Sequence, residues 1–293
     1  MGSMKIILTT LAMLAALALP GRAQELLHKQ APAVPDYVVF AGDTVRLDRD
    51  DRYERMDREL MAFTYMHSTS YLMLKRADRV FTRVVPILRK NGIPEDLKYL
   101  MVIESNLDPK AVSVTGAGGL WQFTKATAGE FGMEVSTDVD ERFNIEKETE
   151  AACRYLKQAY AKYHDWMTVA ASYNAGQGGI SRALAAQQVS NAMDLWLKEE
   201  TSRYMFRLLT CKLFLENPES FGFHLREGES YPYRKPRKVV EVNTPIPSLA
   251  DFAVSYGTTF ALLKEANLWL KTDKLSNPSG KTYRIVIPGD DRR

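Results

Sequence analysis

Cysteine is scarce. Cys153 and Cys211 are the only two in 293 residues, too few for the disulfide framework of a small secreted scaffold. One disulfide, or two buried thiols on separate helices, fits the sequence equally. Histidine is almost as rare, four in all, and none stands at ligand spacing from a cysteine or another histidine. Neither a metal centre nor a cofactor is therefore expected. No G-x-S-x-G nucleophile turn occurs. The glycine clusters GAGG (Gly116–Gly119) and GQGG (Gly176–Gly179) complete no phosphate-binding fingerprint, and neither follows a strand. An excess of one charge is also missing. The formal net charge is +3, too weak to imply a nucleic-acid partner. The one basic cluster, RKPRK (Arg234–Lys238), reads as a solvated linker. Internal repeats and low-complexity tracts are absent.

Long apolar runs are confined to one place. With 45% hydrophobic and 26% charged residues, the composition is that of a soluble globular chain. Lys5 precedes IILTTLAMLAALALP (Ile6–Pro20), and Gly21-Arg22-Ala23 follow. That order predicts a secretory signal over residues 1–23, cleaved after Ala23. The run is short for a membrane span, so no spanning segment is expected once it is removed. No cysteine follows it, which predicts no lipid attachment there. Losing Lys5 and Arg22 leaves a charge of +1. Export to the periplasm is expected, in association with the cell wall or outer membrane.

Behind the signal, residues 24–50 read as a leader with two short strands, YVVF and TVRL, around the turn Ala41-Gly42-Asp43. A single long helix is predicted next, because Met56, Leu60, Phe63, His67 and Tyr71 recur at three- and four-residue spacing. His67 on that stripe reads as a hydrogen-bonded core residue. Further helices are predicted from Pro94, from about Asn144 to Tyr163, from Asp165 to Gly176, over Gly178–Val189 and over Thr201–Glu216. Residues 51–217 are thus expected to form one helical domain. A proline-rich connection over 218–237 then leads to a small β-α-α-β unit over 238–290, whose thin core requires docking or tight packing.

One stretch carries the chemistry. In MVIESNLDPKAVSVTGAGGLWQF (Met101–Phe123), Leu100 and Met101 lie on the inward face of a helix, and Glu104 projects from that same face. A buried carboxyl has a raised pKa because desolvation disfavours its charged form. An acid held protonated near neutral pH suits general-acid catalysis. The alternative is a structural pairing, with an arginine or locally with Ser105. Asp108-Pro109 is expected to turn the chain. Gly116, Gly118 and Gly119 then let it fold back, bringing Trp121, Gln122 and Phe123 near Glu104. An indole beside an amide suits a sugar bearing N-acetyl groups; a core tryptophan in a structural loop is the plainer alternative.

Glu104-Ser105, the serine nine residues after the glutamate (Ser113) and GAGGLWQF (Gly116–Phe123) resemble the catalytic signature of the goose-lysozyme-like lytic transglycosylases. ASYNAG (Ala171–Gly176) is similar to that family's A-Y-N-A-G element, with Ser172 where alanine is commoner. ETSRY (Glu200–Tyr204) resembles its E-T-x-x-Y. The three occur in the family's order across most of 95–205. The long N-terminal helix and the tail look most like the membrane-bound lytic murein transglycosylase D type, whose tail carries LysM modules. Here the tail departs from the LysM pattern, since KVVEV runs into NTPIPS in place of the usual G-D-T-L turn. The resemblance implies a mainly α, lysozyme-like domain, a degenerate LysM-like domain and peptidoglycan glycan strands as substrate. It implies that Glu104 alone acts as acid and then base at the bond between N-acetylmuramic acid and N-acetylglucosamine, leaving 1,6-anhydromuramic acid ends. It implies that Ser113 and Tyr173 hydrogen-bond near Glu104 and the acetamido group, that Gln122 and Asn174 position the sugar, and that Tyr204 supports the charged intermediate. Trp121 is the expected stacking platform. A goose-type lysozyme that delivers water, or a non-catalytic peptidoglycan-binding protein, are the competing readings.

Overall fold

A computed structural model describes residues 30–289; the expected secretory signal lies outside the described residues. Strands β1 (Tyr37–Phe40) and β2 (Asp43–Arg46) pair antiparallel and turn through Ala41 and Gly42, both at positive φ. Helix α1 (Asp50–Tyr65) follows, with Asp50 and Asp51 in its first turn, where acidic groups favour the helix dipole.

The long helix expected here is two helices. Helix α1 stops at Tyr65, Met66 leaves helical geometry (φ −75°, ψ 54°), and α2 (His67–Lys90) begins at once. Hydroxyl groups accompany the break. Thr64 Oγ1 donates to the Leu60 carbonyl (2.8 Å) and Ser70 Oγ to that of Phe63 (2.7 Å), a local competition that bends helices. The change of direction brings His67 to the surface, which corrects its expected core position. Its ring stacks on Phe223 (5.2 Å) and Tyr71 (5.8 Å).

Beyond a 3-10 turn at Glu95–Leu97 lie α3 (Lys98–Ser105) and α4 (Lys125–Glu130). Helix α5 (Ile145–Tyr163) is capped by Asn144, which accepts from Lys147 N. Helix α6 (Trp166–Ala175) is capped by Asp165 through Thr168 N (2.7 Å). Helices α7 (Gln177–Gln187) and α8 (Glu199–Glu216) complete the helical body. Helix α8 packs against α1, α3 and α6, and α2 packs against α5. The fully buried Glu59 of α1 ties α1 to α8 by accepting from Arg203 (2.7 Å). Cys153 and Cys211 are buried free thiols, and burial pushes the Cys153 thiol up to about 12.

After a 3-10 turn at Pro218–Phe221, the chain crosses to a second unit. It comprises β3 (Lys238–Val242), α9 (Leu249–Ser255), α10 (Phe260–Ala266) and β4 (Tyr283–Ile287). The two strands pair antiparallel, Val240 opposite Ile285. The core of this unit holds Leu249, Leu263, Trp269 and Ile285, together with Val139 and Phe143 of the helical body. A thin β-α-α-β core is thereby thickened by its neighbour. Polar contacts reinforce the seam. Asp138 accepts from Thr272 Oγ1 (2.9 Å) and Ser276 Oγ (2.5 Å). Lys281 Nζ donates to Glu134 (3.0 Å) and Glu141 (2.9 Å).

Phe143→Ala should therefore weaken the whole chain by about 3 kcal/mol, the usual cost of emptying a phenylalanine site. Urea unfolding would show a lower midpoint. An unchanged midpoint would mean that Phe143 does not join the two cores.

Candidate active site

Helix α3 is buried on most sides: Tyr99, Leu100, Met101, Val102 and Ile103 are all enclosed. Glu104 lies in its last turn, half-buried. The helix ends because Asn106 and Leu107 both adopt left-handed geometry (φ 52° and 56°), with Asn106 N bonded to the Val102 carbonyl (2.8 Å). Asparagine tolerates that region best among side-chain-bearing residues, and full burial holds Leu107 there. Asp108 shapes the turn by accepting from Lys110 N (3.0 Å) and Arg76 (3.2 Å).

The Tyr204 hydroxyl of α8 donates to Glu104 Oε1 at 2.7 Å. Burial raises the Glu104 pKa, while the Tyr204 bond and Arg207 pull it down and Glu200 pushes it up; the net shift is upward. Tyr173, at the end of α6, feels the charge of Glu104, but its hydroxyl donates to the Trp121 carbonyl (2.6 Å). Burial, and then the charge of Glu104, keep both phenols protonated well beyond their ordinary range.

The loop from Ala111 to Phe123 is a small folded object. Gly118 N bonds the Phe123 carbonyl (3.0 Å) and Gly119 N that of Ala111 (3.1 Å). Ser113 Oγ accepts from Ala117 N and meets Thr115 Oγ1, both at 3.0 Å. Gln122 donates to the carbonyls of Gly119 (2.8 Å) and Ala111 (3.2 Å). From outside, Arg142 grips the carbonyls of Gly116 (2.8 Å) and Phe123 (3.1 Å), its charge matched by Asp140 at 2.7 Å. Gly119 is at φ +83°, and a Cβ there would lie 1.8 Å from the Arg142 carbonyl oxygen. No side chain fits.

The structure thus brings Glu104, Tyr204 and Tyr173 together. Ser113 and Gln122 brace the loop, and their hydrogen bonds go to it and not to Glu104. Asn174 is half-exposed at the end of α6 and its side chain makes no hydrogen bond among the described residues, so its amide is free for a ligand. The stacking role expected of Trp121 does not survive. Its exposure is 0%, its indole donates to Thr149 Oγ1 (3.1 Å), and neither ring face is open.

Two residues escaped the sequence reading. Glu148 of α5 is fully buried behind the loop and accepts from Trp121 N (3.1 Å). Burial drives its pKa well up against the backbone amides of Trp121 and Leu120, and its other oxygen, Oε1, has no partner. Its signal was present: Glu148 stands three residues after Ile145 and four before Ala152, on the apolar face. Trp196 is the other. It is 82% exposed, and its backbone is held from both sides by Gln187, at 2.8 and 2.9 Å. It lies four residues before Glu200, whose charge reaches Glu104.

Residues 86–195 match the family described as Transglycosylase SLT domain. Residues 238–291 match the Soluble lytic transglycosylase C-terminal LysM-like domain. Membrane-bound lytic murein transglycosylase D of Escherichia coli (strain K12) is 26% identical over 262 residues, covering 86% of this chain and 56% of that protein. The chain thus spans little more than half the length of that relative. Membrane-bound lytic murein transglycosylase F of Cronobacter sakazakii is 29% identical over 168 residues, 52% of this chain and 30% of that protein. Among solved structures, an inactive mutant of the lytic transglycosylase Slt from Pseudomonas aeruginosa aligns over 53% of this chain and 26% of its own, with 18% identity and a TM-score of 0.40. Two family models thus match in series, a transglycosylase SLT domain and then a LysM-like domain of the soluble lytic transglycosylase kind. The mainly helical body and its small β-α-α-β tail stand as the sequence implied.

Two outcomes follow from the two buried acids. Tyr204→Phe removes a bond that favours the ionised form, so the Glu104 pKa should rise further, read by carboxyl carbon NMR; an unchanged titration would deny Tyr204 that influence. Glu148 has a folded pKa above its unfolded value, so the unfolded chain loses that proton first. Stability should then fall as pH rises from about 4 through the raised folded value. Glu148→Gln should flatten this decline in urea unfolding measured across pH.

Proposed function

We propose that the protein is a peptidoglycan lytic transglycosylase with Glu104 as its single acid and base. The observation that carries this is the half-buried Glu104 whose pKa burial has raised and whose Oε1 receives the Tyr204 hydroxyl. Desolvation favours the protonated carboxyl before reaction, and the Tyr204 bond stabilises the carboxylate that proton transfer leaves. Glu104 gives its proton to the glycosidic oxygen between N-acetylmuramic acid and N-acetylglucosamine, and that bond breaks. The carboxylate then takes the proton of the muramic 6-hydroxyl, whose oxygen closes on C1 as a 1,6-anhydro ring. No water is consumed. Glu148, the other raised acid, is enclosed by the backbone of Leu120 and Trp121 and serves the loop.

Asn174 offers its amide to the N-acetyl group, and Trp196 offers the open indole face that Trp121 cannot. An aromatic held by its backbone costs little entropy to use as a sugar platform. In the same reading, residues 1–23 export the chain to the periplasm. Residues 51–217 then cleave, 218–237 connect, and 238–290 engage the wall. The names of the murein transglycosylase relatives support this reading.

Purified peptidoglycan incubated with the enzyme should release muropeptides ending in anhydromuramic acid, identified by mass spectrometry. Glu104→Gln should lower the rate by about 10²–10⁴-fold while the protein remains folded. Reducing ends heavier by one water would identify a hydrolase, and no product from folded wild-type protein would leave only a binding role. Trp196→Ala should raise KM by roughly two- to tenfold with kcat little changed; an unaltered KM would remove Trp196 from the groove.

A further inference from the structure

A cavity of about 670 Å³ lies between the helical body and the C-terminal unit, and Glu104 is not among its lining residues. The body contributes Arg79 and Arg83 of α2 and the first turn of α5. The C-terminal unit contributes Thr282, Arg284 and Val286 at and just before β4, and Leu262 of α10. The connecting segment from Tyr231 to Pro236 closes the third side. That segment is pinned at both ends, by Tyr231 N to the Lys75 carbonyl (2.7 Å) and by Arg237 N to that of Ile287 (3.0 Å). The frame is therefore built into the backbone.

The charges of its walls are unequal in what they leave free. Each lining acid is already matched: Glu146 by Arg83 at 2.9 Å, Glu141 by Lys281 at 2.9 Å, and Glu265 by Lys110 at 2.6 Å. Arg79, Lys147 and Arg284 line the same space, and none is in an ion pair among the described residues. Arg284 makes none even with Glu241 directly across the strand pair. The Arg79 guanidinium lies over the Tyr231 ring at 5.7 Å. Tyr233 and Trp269 supply further aromatic wall. Three unmatched cations among aromatic and aliphatic surface select an occupant with carboxylates and short apolar groups. A neutral sugar would leave the cations unused.

We propose that this cavity binds a carboxylate-bearing peptide of the kind that hangs from peptidoglycan glycan strands, as a site separate from the cleavage centre. The choice of that peptide rests on the proposed function; the charge and shape of the cavity do not. Because its walls come from both units and their connection, the bound peptide would bridge the two and anchor the enzyme beside the strand it cleaves.

The test is calorimetric titration of the full chain with a sugar-free stem tripeptide carrying free carboxylates, which reads the cavity without requiring turnover. Binding with a Kd of about 1 mM or tighter is expected. It should weaken about tenfold or more in Arg79→Gln/Arg284→Gln, since charge-assisted hydrogen bonds are lost, and stay unchanged in Glu104→Gln. An amidated tripeptide should bind comparably weakly to the double variant's residual level. No binding at millimolar peptide would overturn the proposal. So would binding that is indifferent to the double variant or to amidation, or a peptide-free chitooligosaccharide that alone responds to the double variant. Peptide binding of the expected pattern in a protein that cleaves no glycan would sink the proposed function and leave this site standing.

Discussion

Much of the molecule hangs on one buried ion pair. Arg142 and Asp140 face each other at 2.7 Å, almost entirely enclosed. Toward the site, Arg142 holds the carbonyls that open and close the glycine loop, those of Gly116 and Phe123. Toward the C-terminal unit, Asp140 N donates to the Trp269 carbonyl at 2.8 Å. Immediately beside the pair, Phe143 presses on Gly118, where even a Cβ would come within 2.9 Å of the ring, and enters the core of the C-terminal unit. Such a pair gains its value from complete satisfaction, since removing one partner strands a charge at a cost of about 3–5 kcal/mol. The loop in front of Glu104 and the unit behind it thus share one electrostatic foundation.

The loop shows how a short helix and a glycine turn become chemistry. Helix α3 supplies a carboxyl from a nearly all-apolar segment, and α8 returns a phenol to it 100 residues later. Between them, Tyr173 braces the Trp121 carbonyl and Glu148 the Trp121 amide, so the peptide units on either side of Trp121 are both held. Trp121 thereby serves the site by being immovable. The same burial that disqualifies its indole as a platform fixes the backbone on which Gln122 turns at φ 52°.

Periodicity made the fold legible where helices have one dry face and a cap. Asn144 and Asp165 were readable as helix starts and are caps. It failed at Met66, because a stripe cannot register the hydroxyls of Thr64 and Ser70 competing for carbonyls. In the site, Glu104 was legible because a lone acid stood out among Leu100, Met101 and Ile103. Glu148 obeyed the same geometry but sat among Glu146, Lys147 and Glu150, a charged context that hid its inward direction. The partner of each hydroxyl was out of reach: Tyr173 and Ser113 were expected to bond near Glu104 and the acetamido group, yet their hydroxyls meet the Trp121 carbonyl and the loop itself, a choice set by ångström-scale packing.

Val139 and Phe143 belong by sequence to the helical body and by packing to the core of the C-terminal unit. This has a consequence for descent. A tail that carried its whole core could be copied, lost or exchanged like a bead on a string. This one leaves part of its interior in its neighbour, so a transplanted copy would arrive with a hole where two side chains had been. The seam from Glu134 to Phe143 is thus as much a part of the tail as its own strands.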